Sequence, residues 1–184
     1  NVLNLYFQTL RVARQDQDYT QSEELLESIK GFQKKYGSQV MPSDFKINSE
    51  VVYNKADIFN RLYKWYLFAG LGLLLILIFQ IFYDNKFSSL LIKIFESLII
   101  TLFVFNTIGL AARWYIAGHA PWSDAYESII FVAWATVIFG IIFGRKSYFT
   151  LASSTFVASI ILSVANMNWL DPSIANLQPV LDSY

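Results

Sequence analysis

The chain has 184 residues, 55% hydrophobic and 17% aromatic, a composition that an ordinary water-soluble domain reaches only if the apolar residues gather into long runs. Fourteen Lys and Arg balance fourteen Asp and Glu, so net charge recommends neither nucleic acid nor an acidic surface as a partner. No cysteine is present, which excludes disulfides, zinc–cysteine sites and iron–sulfur clusters.

The charges are unevenly spread. Residues 1–65 hold nine basic and eight acidic side chains, and residues 66–184 hold five and six. The pattern predicts an all-α membrane protein, an N-terminal extramembrane helical hairpin followed by about four transmembrane helices. The division expected is a helical head over 1–48 and a membrane part over 49–184. Because it begins at Asn1, lacks a basic-then-apolar leader and stops at Tyr184 within what reads as an element, the chain is expected to be an internal piece of something longer.

Residues 1–17 read as an amphipathic helix on the spacing of Leu3, Tyr6, Leu10 and Ala13. Residues 20–36 read as a second. There Thr20 and Glu23 have capping-box spacing, Leu25, Leu26, Ile29, Phe32 and Tyr36 form an apolar stripe, and Gly37 is placed to end it. "DQDYT" between the two suggests an antiparallel hairpin. After the break at "VMPSDFKIN", a third helix is expected from about Ser49, with Val51, Val52, Ile58, Phe59 and Leu62 on its apolar side, running straight into the membrane.

Four apolar stretches follow, at 66–83, 92–112, 126–143 and 148–165. Each approaches the ~20 residues that cross a ~30 Å hydrocarbon layer. Lys93 and Glu96 sit near the start of the second. A charge at mid-membrane would cost about 3 kcal/mol, but one turn from the edge both can snorkel and pair at i, i+3.

Four crossings place the head, the 113–126 loop and the tail after Asn166 on one face, with "DNKFSS" and "GRKS" on the other. Lys86, Lys93, Arg145 and Lys146 on the second face outnumber Arg113 on the first, so the positive-inside rule puts "GRKS" in the cytoplasm. Counting Lys55, Arg61 and Lys64 with the head makes the sides equal. Trp65, Trp114, Trp122 and Trp169 fall at the head-side boundary and Trp134 lies deeper. An interfacial aromatic belt accounts for Trp65 and Trp114. The opposite edge carries no tryptophan, which leaves room for a head-side surface that grips a flat aromatic ligand.

The threshold of the third span reads "GHAPWSDAYESIIFVAW", residues 118–134. Gly118 permits a turn, Pro121 stops the incoming helix, and Asp124 with Glu127 has capping-box spacing, Ser123 being the competing cap. Both acids then sit at the positive end of a helix, where each contributes about 0.3–1 kcal/mol without any catalysis.

The segment "RWYIAGHAPWSDAYESIIFVAW" resembles the signature of the CcsA/ResC family of system II cytochrome c maturation. "QKKYGSQVMPSDFKINSEVVYNKADIFNRLYK" and the tail "LDPSIANLQPVLDSY" are similar to the corresponding parts of its fused CcsBA form. The resemblance implies a bacterial inner-membrane, multi-pass protein with head, 113–126 loop and tail on the outer, periplasmic side. It implies haem as cofactor and partner, apocytochrome c as acceptor, a lipid bilayer, and either the remainder of the same polypeptide or a ResB-like partner. Full-length members act as cytochrome c synthases. This chain departs from them in lacking the tryptophan-rich tract, and the histidines that hold haem iron would lie before Asn1 or after Tyr184. What it is then expected to supply is scaffold, with Trp122 and Tyr126 as the wall of a haem path.

His119 lies at the right interface for an axial ligand, but two axial positions need two ligands and the chain has one histidine. A loop imidazole bonded to a backbone carbonyl or water fits better. Met41 and Met167 read as packing residues. Asn106, Ser153, Ser154, Thr155 and Ser159 read as interhelical hydrogen-bonding and close-packing positions, and "GLG" at 70–72 as close packing. One histidine supports no hydrolase triad, and no metal-ligand cluster is seen. The alternatives are a small-solute transporter or channel subunit using Glu96, Asn106 and Glu127, and an interaction module built on the 1–37 hairpin.

Overall fold

The computed structural model describes residues 2–37, 42–83, 85–167, 170 and 172–174. Every regular element among them is an α-helix. The chain divides into two compact units, Asn1–Ile47 and Asn48–Tyr184. Met41, Trp169 and most of the tail expected after Asn166 lie outside the described residues.

In the first unit, α1 (Val2–Asp16) and α2 (Thr20–Tyr36) form the expected hairpin. Its turn differs from the one expected. Gln17 takes a left-handed conformation at φ 57°, and the Asp18 carboxylate accepts from the Thr20 hydroxyl (2.6 Å) and N–H (3.1 Å). Thr20 is thereby captured by the acid before it and does not cap. The N-cap is Tyr19, which bonds through its backbone alone. The Thr20 hydroxyl, then its N–H, hold the Asp18 carboxyl below its ordinary pKa. That contribution is complete above the usual carboxylate range and is lost on acidification. Gly37 ends α2 as expected, its N–H reaching the Gln33 carbonyl at 2.7 Å. Phe32 and Tyr36, at the end of the apolar stripe, stay exposed.

The third helix starts earlier than its sequence suggests and does not run on unbroken. α3 (Asp44–Ala56) is capped by the Ser43 hydroxyl, which accepts from the Lys46 N–H. It stops at Asp57, left-handed at φ 43° and ψ 51°, before α4 (Ile58–Phe82). Aspartate tolerates this conformation because its short polar side chain bonds locally; here the Asn60 amide donates to it at 2.6 Å.

Three more helices complete the second unit: α5 (Lys86–Ala117), α6 (Ala125–Gly144) and α7 (Tyr148–Asn166). The segments Asp44–Phe82, Lys86–Ala117, Ala125–Gly144 and Tyr148–Asn166 are long and apolar enough to cross a membrane. At 1.5 Å per residue α7 is about as long as the hydrocarbon layer is thick, whereas α5 runs to about 48 Å and overhangs it.

α7 packs along both α4 and α6, α5 packs on α4, and α5 meets α6 only lightly. Small residues bring the α7 seams together, since a bilayer offers no hydrophobic drive between helices and close backbone approach must replace it. A Cβ on Gly70 would lie 2.6 Å from the Phe156 backbone nitrogen; one on Gly140 would strike the Ser154 side chain, and one on Gly144 would press on Leu151. Asn106 does bond across helices, its amide donating to the Tyr66 hydroxyl at 3.4 Å. The α7 hydroxyls do not. Ser154 and Thr155 donate to the Leu151 carbonyl and Ser159 to that of Phe156, because a carbonyl of the preceding turn is always in reach. Nor does an ion pair join Lys93 to Glu96; Lys93 stays exposed.

Two glycine substitutions should therefore diverge. Gly70→Ala forces α4 from α7 and is expected to cost about 1–3 kcal/mol. Gly31→Ala, in α2 with nothing within 4 Å of the new methyl, should gain about 0.5–1 kcal/mol of helix propensity. Thermal unfolding of both variants in detergent checks the pair.

Candidate functional site: an ion-paired gateway at one end of the bundle

α5 ends where the sequence lets the chain turn. Gly118, at φ 81°, returns its N–H to the Trp114 carbonyl at 2.9 Å. The loop passes Pro121 and re-enters at Asp124, the extended N-cap of α6, whose carboxylate accepts from the Glu127 N–H at 2.6 Å. The reciprocal bond comes from Ser123, whose N–H donates to Glu127 Oε2 at 3.0 Å. The expected capping box is present, shifted by one residue on its return leg.

Glu127 has a second task. Its Oε1 accepts from Arg113 Nε at 2.9 Å, and both residues are 1% exposed. The rest of the guanidinium is also occupied: Nη1 donates to the Pro172 carbonyl at 2.9 Å, Nη2 to that of Ser173 at 3.2 Å, and Asp124 Oδ2 lies 3.7 Å from Nη2. The Tyr126 ring lies 4.9 Å from the guanidinium carbon, and Tyr53 stands beside the same group. One arginine therefore ties α5, the start of α6 and the segment beyond α7 together. The charges also suit the helix ends, with acids at the positive N-terminus of α6 and the cation near the negative C-terminus of α5.

His119 stands at the edge of this network. Its Nδ1 lies 3.2 Å from the Ala120 carbonyl, 2.9 Å from the Ser123 hydroxyl and 3.9 Å from Glu127 Oε2. This is the carbonyl-bonded loop imidazole expected. No group of three or more His, Cys, Asp or Glu able to hold a metal occurs among the described residues.

Trp122 and Tyr126, the two expected wall residues, are not brought together. Tyr126 is 6% exposed and lines a cavity of about 320 Å³ with Tyr53, Asp57, Phe59, Pro172 and Ser173. Trp122 is 58% exposed and lines a groove of about 210 Å³ between α5 and α6 with Leu110, Trp114, Phe131 and Trp134. An aromatic series continues from it. Trp122 meets Phe131 edge-on at 5.3 Å, Phe131 stacks on Trp134 at 5.6 Å, and Trp134 stacks on Phe103 at 5.8 Å. The Trp134 N–H is satisfied by the Thr107 hydroxyl at 2.9 Å. Haem iron takes an axial nitrogen, sulfur or oxygen ligand; the groove lining supplies aromatic faces and one hydroxyl, and His119 is not part of it. The groove thus offers aromatic surface and no nitrogen or sulfur ligand for iron.

In the sequence Arg113 stands out only in the charge count and as the start of the family-like segment, and Phe131 and Phe103 do not stand out at all. The signal for Arg113 was present: a cation before a Gly/Pro turn and a capping acid after it face each other once the two helices fold back. Arg113→Gln strands a buried Glu127 and is expected to destabilise the protein by about 3–5 kcal/mol. An Arg113→Met/Glu127→Leu double variant should recover much of that loss in detergent melts, because neither charge is then left alone.

No protein-family model matches the chain. It is 36% identical over 169 residues to Protein NrfI of Wolinella succinogenes, an alignment covering 92% of this chain and 19% of that protein. It is 28% identical over 137 residues to the cytochrome c biogenesis protein CcsA of Prochlorococcus marinus strain MIT 9301, covering 72% of the chain and 42% of the relative. It is also 36% identical over 66 residues to CcsA of Glycine max, covering 36% of the chain and 19% of the relative. The chain thus spans less than half the length of each of these proteins. In four membrane-crossing helices and in these alignments, it is a relative of the CcsA cytochrome c biogenesis proteins.

Proposed function

We propose that this chain is the scaffold part of a membrane protein that delivers haem for c-type cytochrome assembly, with attachment to apocytochrome c at the outer face of the bacterial inner membrane. The aromatic series Trp122, Phe131, Trp134 and Phe103 beside the ion-paired loop carries the proposal. Aromatic pairs in offset or edge-on contact are worth about 0.5–1.5 kcal/mol each beyond their buried area, so such a wall can hold and orient a porphyrin without bonding its iron. The likeness to NrfI and CcsA supports haem as the flat ligand.

The work divides between two sets of residues. Trp122 and Trp134 touch the macrocycle. Arg113, Glu127 and Tyr126 position the loop that carries Trp122, so Tyr126 acts on the wall from within the bundle. Bond-making and iron ligation belong to parts of the parent protein beyond residues 1–184, or to a ResB-like partner. Lys86, Lys93, Arg145 and Lys146 toward the opposite end of the bundle outnumber Arg113, and support outward placement of the 118–124 loop when Lys55, Arg61 and Lys64 are left out of the count.

In cells whose c-type cytochromes depend on the full-length protein, Trp122→Ala and Trp134→Ala should each lower haem-stained cytochrome severalfold at unchanged protein level, and phenylalanine at either position should restore most of it. Unchanged yields in both alanine variants would remove the wall from the mechanism. For orientation, a cysteine replacing His119 is expected to react with an impermeant thiol reagent from the periplasm, and one replacing Arg145 only after the membrane is opened. Labelling of both from one side would overturn the four-crossing topology.

A further inference from the structure

Along the contact of α4 and α5 runs a second groove, of about 430 Å³, unconnected with the aromatic wall. Leu62 and Trp65 of α4 and Leu98, Leu102 and Phe105 of α5 line it, and Arg61 is its only charged lining residue. The helices are antiparallel: Gly109 lies against Phe59 and Ile58, and Gly72 against Phe95. Arg61 therefore marks the end of the groove nearer the 118–124 loop, and Leu98 lies toward mid-membrane.

The two arginines at this end of the bundle are in opposite states. Arg113 is buried with its donors engaged. Arg61 is exposed, and among the described residues no carboxylate lies within ion-pair distance of it. An arginine about one turn into a membrane helix is tolerated when its stem lies along apolar surface and its head reaches an anion at the interface. Trp65, one turn deeper on the same face, is 52% exposed and offers an amphipathic ring suited to that level.

We propose that this groove seats one anionic phospholipid, with its phosphate on the Arg61 guanidinium and one acyl chain along Leu62, Leu98, Leu102 and Phe105. The charge sets the class of headgroup, and the apolar remainder of the lining sets the need for a chain rather than a free phosphate.

The test uses the full-length protein purified in mild detergent and exposed to equal amounts of phosphatidylglycerol and phosphatidylcholine, with retained lipid counted by native mass spectrometry. One retained phosphatidylglycerol is expected in preference to phosphatidylcholine. Arg61→Gln should lower that retention by about fivefold, the scale of one surface cation against anionic lipid. Leu102→Trp, which fills the groove and keeps the cation, should lower retention of both lipids, while Lys64→Gln, an exposed cation outside the groove, should change nothing. Equal retention of the two lipids, or retention indifferent to Arg61→Gln, overturns the proposal. So does a photo-crosslinker at Phe105 that captures protein instead of lipid, or a haem absorbance that falls with Arg61→Gln while lipid retention holds; those results assign the groove to another helix or to haem.

Discussion

One buried ion pair sets how the helix ends meet in the second unit. Removing a guanidinium and a carboxylate from water costs several kcal/mol for each ion, and their attraction offsets this only when the remaining donors and acceptors are also satisfied. Arg113 and Glu127 meet that condition through neighbours supplied by different elements: the Ser123 N–H, the Pro172 and Ser173 carbonyls, the Asp124 carboxylate and the Tyr126 ring face. Each contact is modest; the pair is tolerable only with all of them. This makes the loop between α5 and α6 a defined structure rather than a slack connection, and it fixes the Pro172 and Ser173 carbonyls at the same end.

Elsewhere the bundle is held by shape. The seams of α7 with α4 and α6 close over glycines, with hydroxyls folded back onto their own helix. By contrast, α5 meets α6 lightly, and aromatic side chains line the groove between them. The aromatic series proposed as the haem wall lies on the α5–α6 side.

Much of this architecture is legible in the residues. Long apolar runs define the crossings, Gly118 and Pro121 define the turn, and Asp124 with Glu127 defines the re-entry. What the sequence conceals are choices among partners. Thr20 has the spacing of a cap and is taken by Asp18, one acid too close. Asp57 sits inside an apparently continuous helix and breaks it, because a left-handed aspartate bonded by Asn60 competes well with one more helical turn. Ser154 and Thr155 look like interhelical glue and serve their own backbone. Trp122 and Tyr126 are four residues apart, yet one faces the groove and the other the guanidinium, since Trp122 lies in the loop before the α6 N-cap, where helical spacing does not apply. Periodicity records that a helix has an inside; it does not say which neighbour defines it.

The length of α5 bears on how the gateway meets its surroundings. A 32-residue helix is a post of fixed height, while the level of the headgroups is set by whichever lipids happen to surround it. Thickening or thinning the bilayer would raise or lower that water line against Trp122 without altering a single bond inside the protein. The reach of the aromatic wall toward anything arriving from solution would then be tuned by the membrane, and the same chain would present itself differently in two host bilayers.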